Sequence, residues 1–263
     1  MVDGAREVVL LVDTFNRYFE PENAEAAERV LTRAGYRVTT PEPMIGRPQG
    51  RPLCCGRTFL AAGLVDEARR EARRMLDALA LTVIAGVPIV GLEPACLLTL
   101  RDEFPSLLPG EETQALAARA QLFEEFVASE RAAGRFDLKL AAMPGKTALL
   151  HGHCHQKAFA TAGAAADVLR LVPELAVETF DSTCCGMAGS FGLEAEHYDM
   201  SLKIGELGVL PKMREAAPDT LLAACGTSCR HQIADSAGRD ARHIVRILDE
   251  ASSSSAAGDS ATA

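Results

Sequence analysis

The chain has 263 residues, 48% apolar and 24% charged, the composition of an ordinary globular protein of one or two domains. Its net charge of −9 repels phosphate and argues against nucleic acid or an acidic membrane surface as partner; an aromatic share of 5% without Trp offers little for bases to stack on. Eight cysteines are too few for a secreted disulfide scaffold, yet two adjacent pairs, Cys54-Cys55 and Cys184-Cys185, hold half of them.

Met1 to Arg6 are mixed and polar, unlike a secretory signal, and the uncharged stretch Ala78 to Leu92 is too short and too broken by Gly86, Pro88 and Gly91 to span a membrane. The expected location is therefore the reducing cytoplasm, at the inner membrane only through a partner. Clustered thiols in that compartment more often bind metal or do chemistry than form disulfides.

Short apolar runs alternate with helical stretches along the chain. Val8–Val12 reads as a buried strand, Glu22–Ala34 as a helix closed by Gly35, and Arg37–Thr40 as a second strand. A Pro- and Gly-rich loop leads to Cys54-Cys55-Gly56, and a helix from Thr58 to Ala85 is expected to break near Gly63. Pro88–Leu92 is a third strand and Ala95–Phe104 a helix. Glu111–Ala133 reads as one long helix with Leu116, Ala120, Phe123 and Val127 on one face. The rhythm then restarts: strand Ala148–His151, helix Thr161–Leu171, strand Ala176–Phe180, Cys184-Cys185-Gly186, helix Ala195–Leu210, strand Thr220–Ala224, and helices Ser228–Ser236 and Ala241–Glu250. This alternation predicts an α/β fold of two duplicated, doubly wound units with parallel sheets related by a pseudo-two-fold. The expected division is a degenerate first repeat over 1–142, a cluster-binding second repeat over 143–250 and a disordered Ser/Ala-rich tail over 251–263.

Duplication is the reading because three segments recur in order. Val9-Leu10-Leu11 pairs with Ala148-Leu149-Leu150, Cys54-Cys55-Gly56 with Cys184-Cys185-Gly186, and the strand before Cys96 with the strand before Cys229. Chance likeness between two α/β segments explains the apolar rhythm but not the matched Cys-Cys-Gly followed by a strand and a cysteine.

Cys96, Cys154, Cys184-Cys185, Cys225 and Cys229 all fall just beyond predicted strands. In an open parallel sheet those ends share one edge, where ligands bind. Thiolates brought together repel and are costly to bury, so a thiophilic metal centre is the natural way to neutralise them. Adjacent cysteines suit a multi-iron cluster better than a closed zinc tetrahedron.

The pattern of Cys154, Cys184-Cys185-Gly186 and Cys225/Cys229 resembles the cysteine-rich CCG domain. That domain occurs in heterodisulfide reductase, in the iron–sulfur subunit of anaerobic glycerol-3-phosphate dehydrogenase and in lactate-utilisation proteins. The stretches Val12–Pro21, His151–Lys157 and Gly226–Gln232 are most similar to the C-terminal iron–sulfur region of FAD-linked D-2-hydroxy-acid (D-lactate-type) dehydrogenases. The resemblance covers about residues 8–250. It implies a [4Fe-4S] cluster on Cys154, Cys184, Cys185, Cys225 and Cys229, where three residues separate the last pair instead of the family's two. The first half keeps only Cys54, Cys55 and Cys96, with Phe15 at the leading position and Leu92 opposite Cys225. Those three thiols are a degenerate site, a zinc site completed from outside, or a contribution to the second half's cluster.

His151, His153, His155 and His231 flank these cysteines. They are read as hydrogen-bonding support for the centre, the alternative being a mixed His/Cys zinc site at Cys154. His197 and His243 are expected on helix surfaces. Lys157, Arg230 and Arg57 either offset negative charge near the thiols or are solvated cations. No Gly-x-Gly-x-x-Gly follows the first strand, so the FAD is expected on a partner flavoprotein subunit or domain. The functional expectation is an oxidoreductase component that passes electrons from that flavin, with a ferredoxin-like iron–sulfur protein as a further partner. The alternatives are a self-contained disulfide reductase and a zinc-stabilised, non-catalytic interaction subunit.

Overall fold

The computed structural model describes residues 5–41 and 51–260. The chain divides into two compact units, Met1–Phe126 and Val127–Ala263.

The first unit contains β1 (Arg6–Leu11), α1 (Thr14–Tyr18), α2 (Pro21–Arg33), β2 (Tyr36–Thr39), α3 (Arg57–Ala61), α4 (Val65–Ile84), β3 (Ile89–Gly91), α5 (Pro94–Arg101), α6 (Glu103–Leu107), α7 (Glu111–Arg119) and β4 (Ala120–Leu122). The next helix, α8 (Phe123–Ala132), straddles the division. The four strands form a parallel sheet in the order β2-β1-β3-β4. Its central strand buries Val8 to Leu11 in succession, as a strand covered on both faces must. On α4, Ala68, Ala72, Met75, Leu76 and Leu79 recur at helical spacing and are buried, while the intervening Arg and Glu residues mostly face water.

The second unit repeats the plan with β5 (Thr147–His151), α9 (Cys154–Ala158), α10 (Ala162–Leu169), β6 (Ala176–Thr179), a 3-10 turn (Phe191–Leu193), α11 (Tyr198–Glu206), α12 (Val209–Glu215), β7 (Leu221–Ala224), α13 (Thr227–Ala237), β8 (Ala241–Arg242) and α14 (Ile244–Ser260). Its sheet is again parallel, in the order β6-β5-β7-β8. The two doubly wound α/β units expected from the sequence are present. Among the described residues no helix is long and apolar enough to cross a membrane.

Four expectations are corrected. The long helix over 111–133 is interrupted by β4, which pairs with β3. Leu116, Ala120, Phe123 and Val127 are all buried, so a helix and a helix–strand–helix satisfy the same spacing. The Glu125 carboxylate settles the second arrangement by accepting the Leu122 amide and the Arg101 guanidinium as α8 begins. The last helix starts later than expected, because Ala241-Arg242 pair with β7 as β8. His243 is accordingly no surface residue: it is fully buried between β8 and α14, its Nδ1 accepting the Val245 amide. Finally, α14 runs on through Ser260, into the stretch expected to be a disordered tail. Ala251 and Ser252 are buried, and the Ala251 carbonyl accepts the Ala141 amide, so the helix is anchored beyond Glu250 by contacts a composition argument does not see. Residues 261–263 lie outside the described residues.

Candidate metal centre

In the second unit the chain leaves β5 for β6 on one side and returns to β7 on the other, so β5 and β7 open the crevice at which doubly wound sheets bind ligands. Each cysteine of this unit is delivered to that edge by a different local device. Cys154 is the first residue of α9, whose N-cap is His153: the imidazole Nδ1 accepts the His155 amide at 3.2 Å, while the Gln156 side chain accepts the His153 amide at 3.0 Å. This reciprocal capping box fixes where the helix starts, and hence where the thiol sits. Cys184 and Cys185 lie in the loop after β6, held by Gly186 at φ +97°. A Cβ on Gly186 would stand 2.0 Å from the Ser201 carbonyl oxygen, so only glycine fits, and its amide donates to Cys184 Sγ at 3.3 Å. Cys225 directly follows β7 and is fully buried; Cys229 lies in the first turn of α13.

Four of these thiols form a chain of contacts. Cys184 hydrogen-bonds to both Cys154 and Cys185, and Cys185 also to Cys229. Protonation is divided among them. The Cys154 and Cys185 contacts hold the Cys184 thiol far below its ordinary range, as does the Cys185 contact for Cys229, aided by His153 and His151. Cys154 and Cys185 are pushed up by the same thiol contacts and by burial. The arrangement therefore favours two thiolates interleaved with two thiols. Cys154 is the exposed member.

The histidines divide as well. His151, buried at the end of β5, contacts Cys229 and sits with its Nδ1 2.9 Å from Ser182 Oγ. His153 packs its ring on Gly226, where a Cβ would come within 2.3 Å of the imidazole. His155 stacks on His153 with centroids 5.2 Å apart, its Nδ1 3.9 Å from Cys154 Sγ. His153, Cys154 and His155 place one ligand atom each within 4.8 Å of one another. His231 is half-buried on α13, and among the described residues it makes no hydrogen bond to a thiol. His197 is an exposed residue paired with Glu194, as expected. Arg230 is not a solvated cation: buried, it donates to the Ala224 carbonyl and to Thr227 Oγ1, tying the end of β7 to α13. Lys157 donates to the carbonyl and hydroxyl of Ser182, and Arg57 pairs with Glu103.

The first unit builds the same scaffold with different chemistry. Gly56 again has positive φ (+78°) and donates to Cys54 Sγ at 3.4 Å. Cys96 occupies the third position of α5, as Cys229 does in α13, and contacts Cys55, which contacts Cys54. The residue in the place of Cys154 is Thr14 and not Phe15, because Asp13 caps α1 as His153 caps α9. The Thr14 hydroxyl hydrogen-bonds to Cys54, much as Cys154 does to Cys184. Leu92 stands opposite Cys225, as the sequence suggested. Charge is reversed, however. Asp13 and Glu93 replace His153 and Gly226. The Cys55 contact favours the Cys96 thiolate, but burial and those two carboxylates outweigh it and push the thiol up to about 11. Cys54 is raised by Cys55 and burial; for Cys55, the lowering contact of Cys54 is outweighed by Cys96 and burial. Three thiols held in their protonated form beside two carboxylates do not fit the five-thiolate cluster of the second unit's pattern.

Fold and site together define a cysteine-rich α/β protein with a thiol centre at the sheet edge of its second unit. Residues 148–234 match the family model described as CCG, cysteine-rich domain. The chain is 29% identical over 256 residues to one of the subunits of anaerobic glycerol-3-phosphate dehydrogenase of Escherichia coli, covering 90% of this chain and 63% of that protein. It is 29% identical over 250 residues to D-2-hydroxyglutarate dehydrogenase of E. coli, covering 94% of this chain but 23% of that protein. Lactate utilization protein A of Bacillus licheniformis is 24% identical over 260 residues, covering 92% of this chain and 99% of that protein. The chain thus spans less than two thirds of the first two relatives, both of them dehydrogenases or parts of one.

Geometry also adds residues that sequence reasoning passed over: Ser182, Thr14, Asp13 and Glu93. Of these only Asp13 carried a signal, as a residue type that caps helices standing directly after a predicted strand.

Proposed function

We propose that the chain is an iron–sulfur electron-transfer module of a flavin-dependent D-2-hydroxy-acid dehydrogenase, with one [4Fe-4S] cluster on Cys154, Cys184, Cys185, Cys225 and Cys229. The observation that carries this reading is the convergence of Cys154, Cys184, Cys185 and Cys229 through mutual thiol contacts. The donor set suits such a group: all sulfur, two members already inclined to the thiolate, and an amide hydrogen bond from Gly186 to one sulfur. When bound, the cluster supplies one-electron storage and transfer. The protein's part is to hold the sulfurs, stabilise their negative charge through Gly186 and His151, and leave the Cys154 side open to a redox partner. The proposed partners are a flavoprotein subunit or domain and a ferredoxin-like iron–sulfur protein, in the cytoplasm; the proposed substrate is a small hydroxy acid of D-lactate type, and the names of two relatives, D-2-hydroxyglutarate dehydrogenase and lactate utilization protein A, support a hydroxy acid as its class. The three thiols of the first unit are assigned no cluster.

Anaerobic purification with iron, sulfide and zinc assays tests the reading. Iron with acid-labile sulfide, and loss of cluster absorbance in Cys185→Ser but not in Cys54→Ser, are expected. An iron-free protein with stoichiometric zinc contradicts the reading and points to the His153–Cys154–His155 group.

A further inference from the structure

We propose that Ser182 and Lys157 act as positioning residues that fix one tautomer of His151, so that its Nε2–H is donated to Cys229 Sγ. This deepens, and rests on, the cluster assignment above. The polar contacts form an unbroken line. Lys157 Nζ lies 3.0 Å from Ser182 Oγ and also donates to the Ser182 carbonyl; Ser182 Oγ lies 2.9 Å from His151 Nδ1; His151 in turn hydrogen-bonds to Cys229.

The direction of each bond follows from what each group can give. An ammonium only donates, so the Ser182 oxygen accepts from Lys157. The hydroxyl has one hydrogen of its own, and in this nearly buried position (8% exposed) it needs an acceptor. His151 Nδ1 is the acceptor that the structure offers within reach. With Nδ1 accepting, Nε2 is the nitrogen left to carry a proton towards Cys229. The opposite tautomer would point two donors at the serine oxygen and leave the Cys229 sulfur facing a bare nitrogen lone pair. His151 is 1% exposed, so both contacts are made away from bulk water.

The consequence is electronic. An N–H donor to a ligating sulfur withdraws charge from it and favours the reduced cluster, and the group behind the donor decides whether that N–H is there. Lys157 strengthens the effect by polarising the serine hydroxyl towards the ring. Among the described residues the first unit has no such line, since Leu11 ends β1 where His151 ends β5.

Two measurements test the proposal. In the metal-free protein, imidazole 15N NMR should show the Nε2–H tautomer for His151, and Ser182→Ala should lose it while Ser182→Thr keeps it. In the iron-loaded protein, Ser182→Ala and His151→Phe should each shift the cluster potential downward, Ser182→Thr should restore it, and Ser182→Ala should add no shift on top of His151→Phe. An Nδ1–H tautomer or a doubly protonated ring in the wild type would overturn the proposal whatever the iron content. So would a Ser182→Ala shift of undiminished size in the His151→Phe background. An Nε2–H tautomer in a protein that takes up no iron would instead overturn the cluster assignment and leave the hydrogen-bond line standing.

Discussion

Gly186 shows how much of the centre depends on one residue without a side chain. It needs a left-handed backbone, lies against the Ser201 carbonyl and gives its amide to Cys184. Gly186→Ala forces a Cβ into backbone that cannot retreat, and a loss of roughly 2–4 kcal/mol together with loss of iron is expected. Gly56→Ala meets Ala68 at 3.1 Å and should cost less. Equal thermal shifts for the two would contradict the packing described. Asp13 makes a second test in the first unit. Its carboxylate accepts the Phe15 and Asn16 amides and the Asn16 side chain, so Asp13→Ala is expected to cost about 1–2 kcal/mol in denaturant unfolding. Burial nevertheless raises the Asp13 carboxyl above its ordinary value despite these hydrogen bonds. The folded state therefore binds the proton more tightly than the unfolded one. Its contribution is full below the unfolded pKa and is lost as pH rises through the raised folded value. Asp13→Asn should flatten that segment of the stability–pH curve; an unchanged slope would exclude Asp13 as its source.

At the scale of elements, strands with continuous apolar runs were legible in the sequence because burial on both faces leaves no other reading for Val8 to Leu11 or Ala148 to Leu150. The break between α3 and α4 was legible too, since Gly63 takes positive φ there. Two short strands were not. β4 and β8 have three and two residues and exist because a neighbouring strand offers hydrogen bonds, information that no local window holds. The short helix α9 was missed for a similar reason: its start is set by a histidine cap, a residue type seldom read as a capping signal. The cysteine edge was legible because strand ends and thiols alternate in sequence, whereas Ser182 was not, since its role comes from the side chains that surround it. The end of α14 gives a direct test at this scale. Deleting residues 251–263 removes buried Ala251 and Ser252 and the acceptor of the Ala141 amide. A loss of about 2–3 kcal/mol is expected from that burial and hydrogen bond, whereas a disordered tail would be dispensable.

Across the whole molecule, one strand order serves two chemistries. Both units place a cysteine pair after the second strand and a cysteine in the helix after the third, with the same glycine geometry. In the second unit thiol contacts and histidines favour thiolates at Cys184 and Cys229; in the first, thiol contacts, burial and buried carboxylates favour thiols, against the hydrogen bond that Thr14 gives to Cys54. A cluster needs thiolate charge, and this asymmetry is the reason the cluster is proposed for the second unit and not for the first. The most direct test is the iron and acid-labile sulfide content of the anaerobically purified chain. About four iron and four sulfide per chain are expected, retained in a Cys54→Ser/Cys96→Ser variant and lost in Cys184→Ser/Cys229→Ser. Iron that follows the first unit's cysteines instead would contradict the assignment.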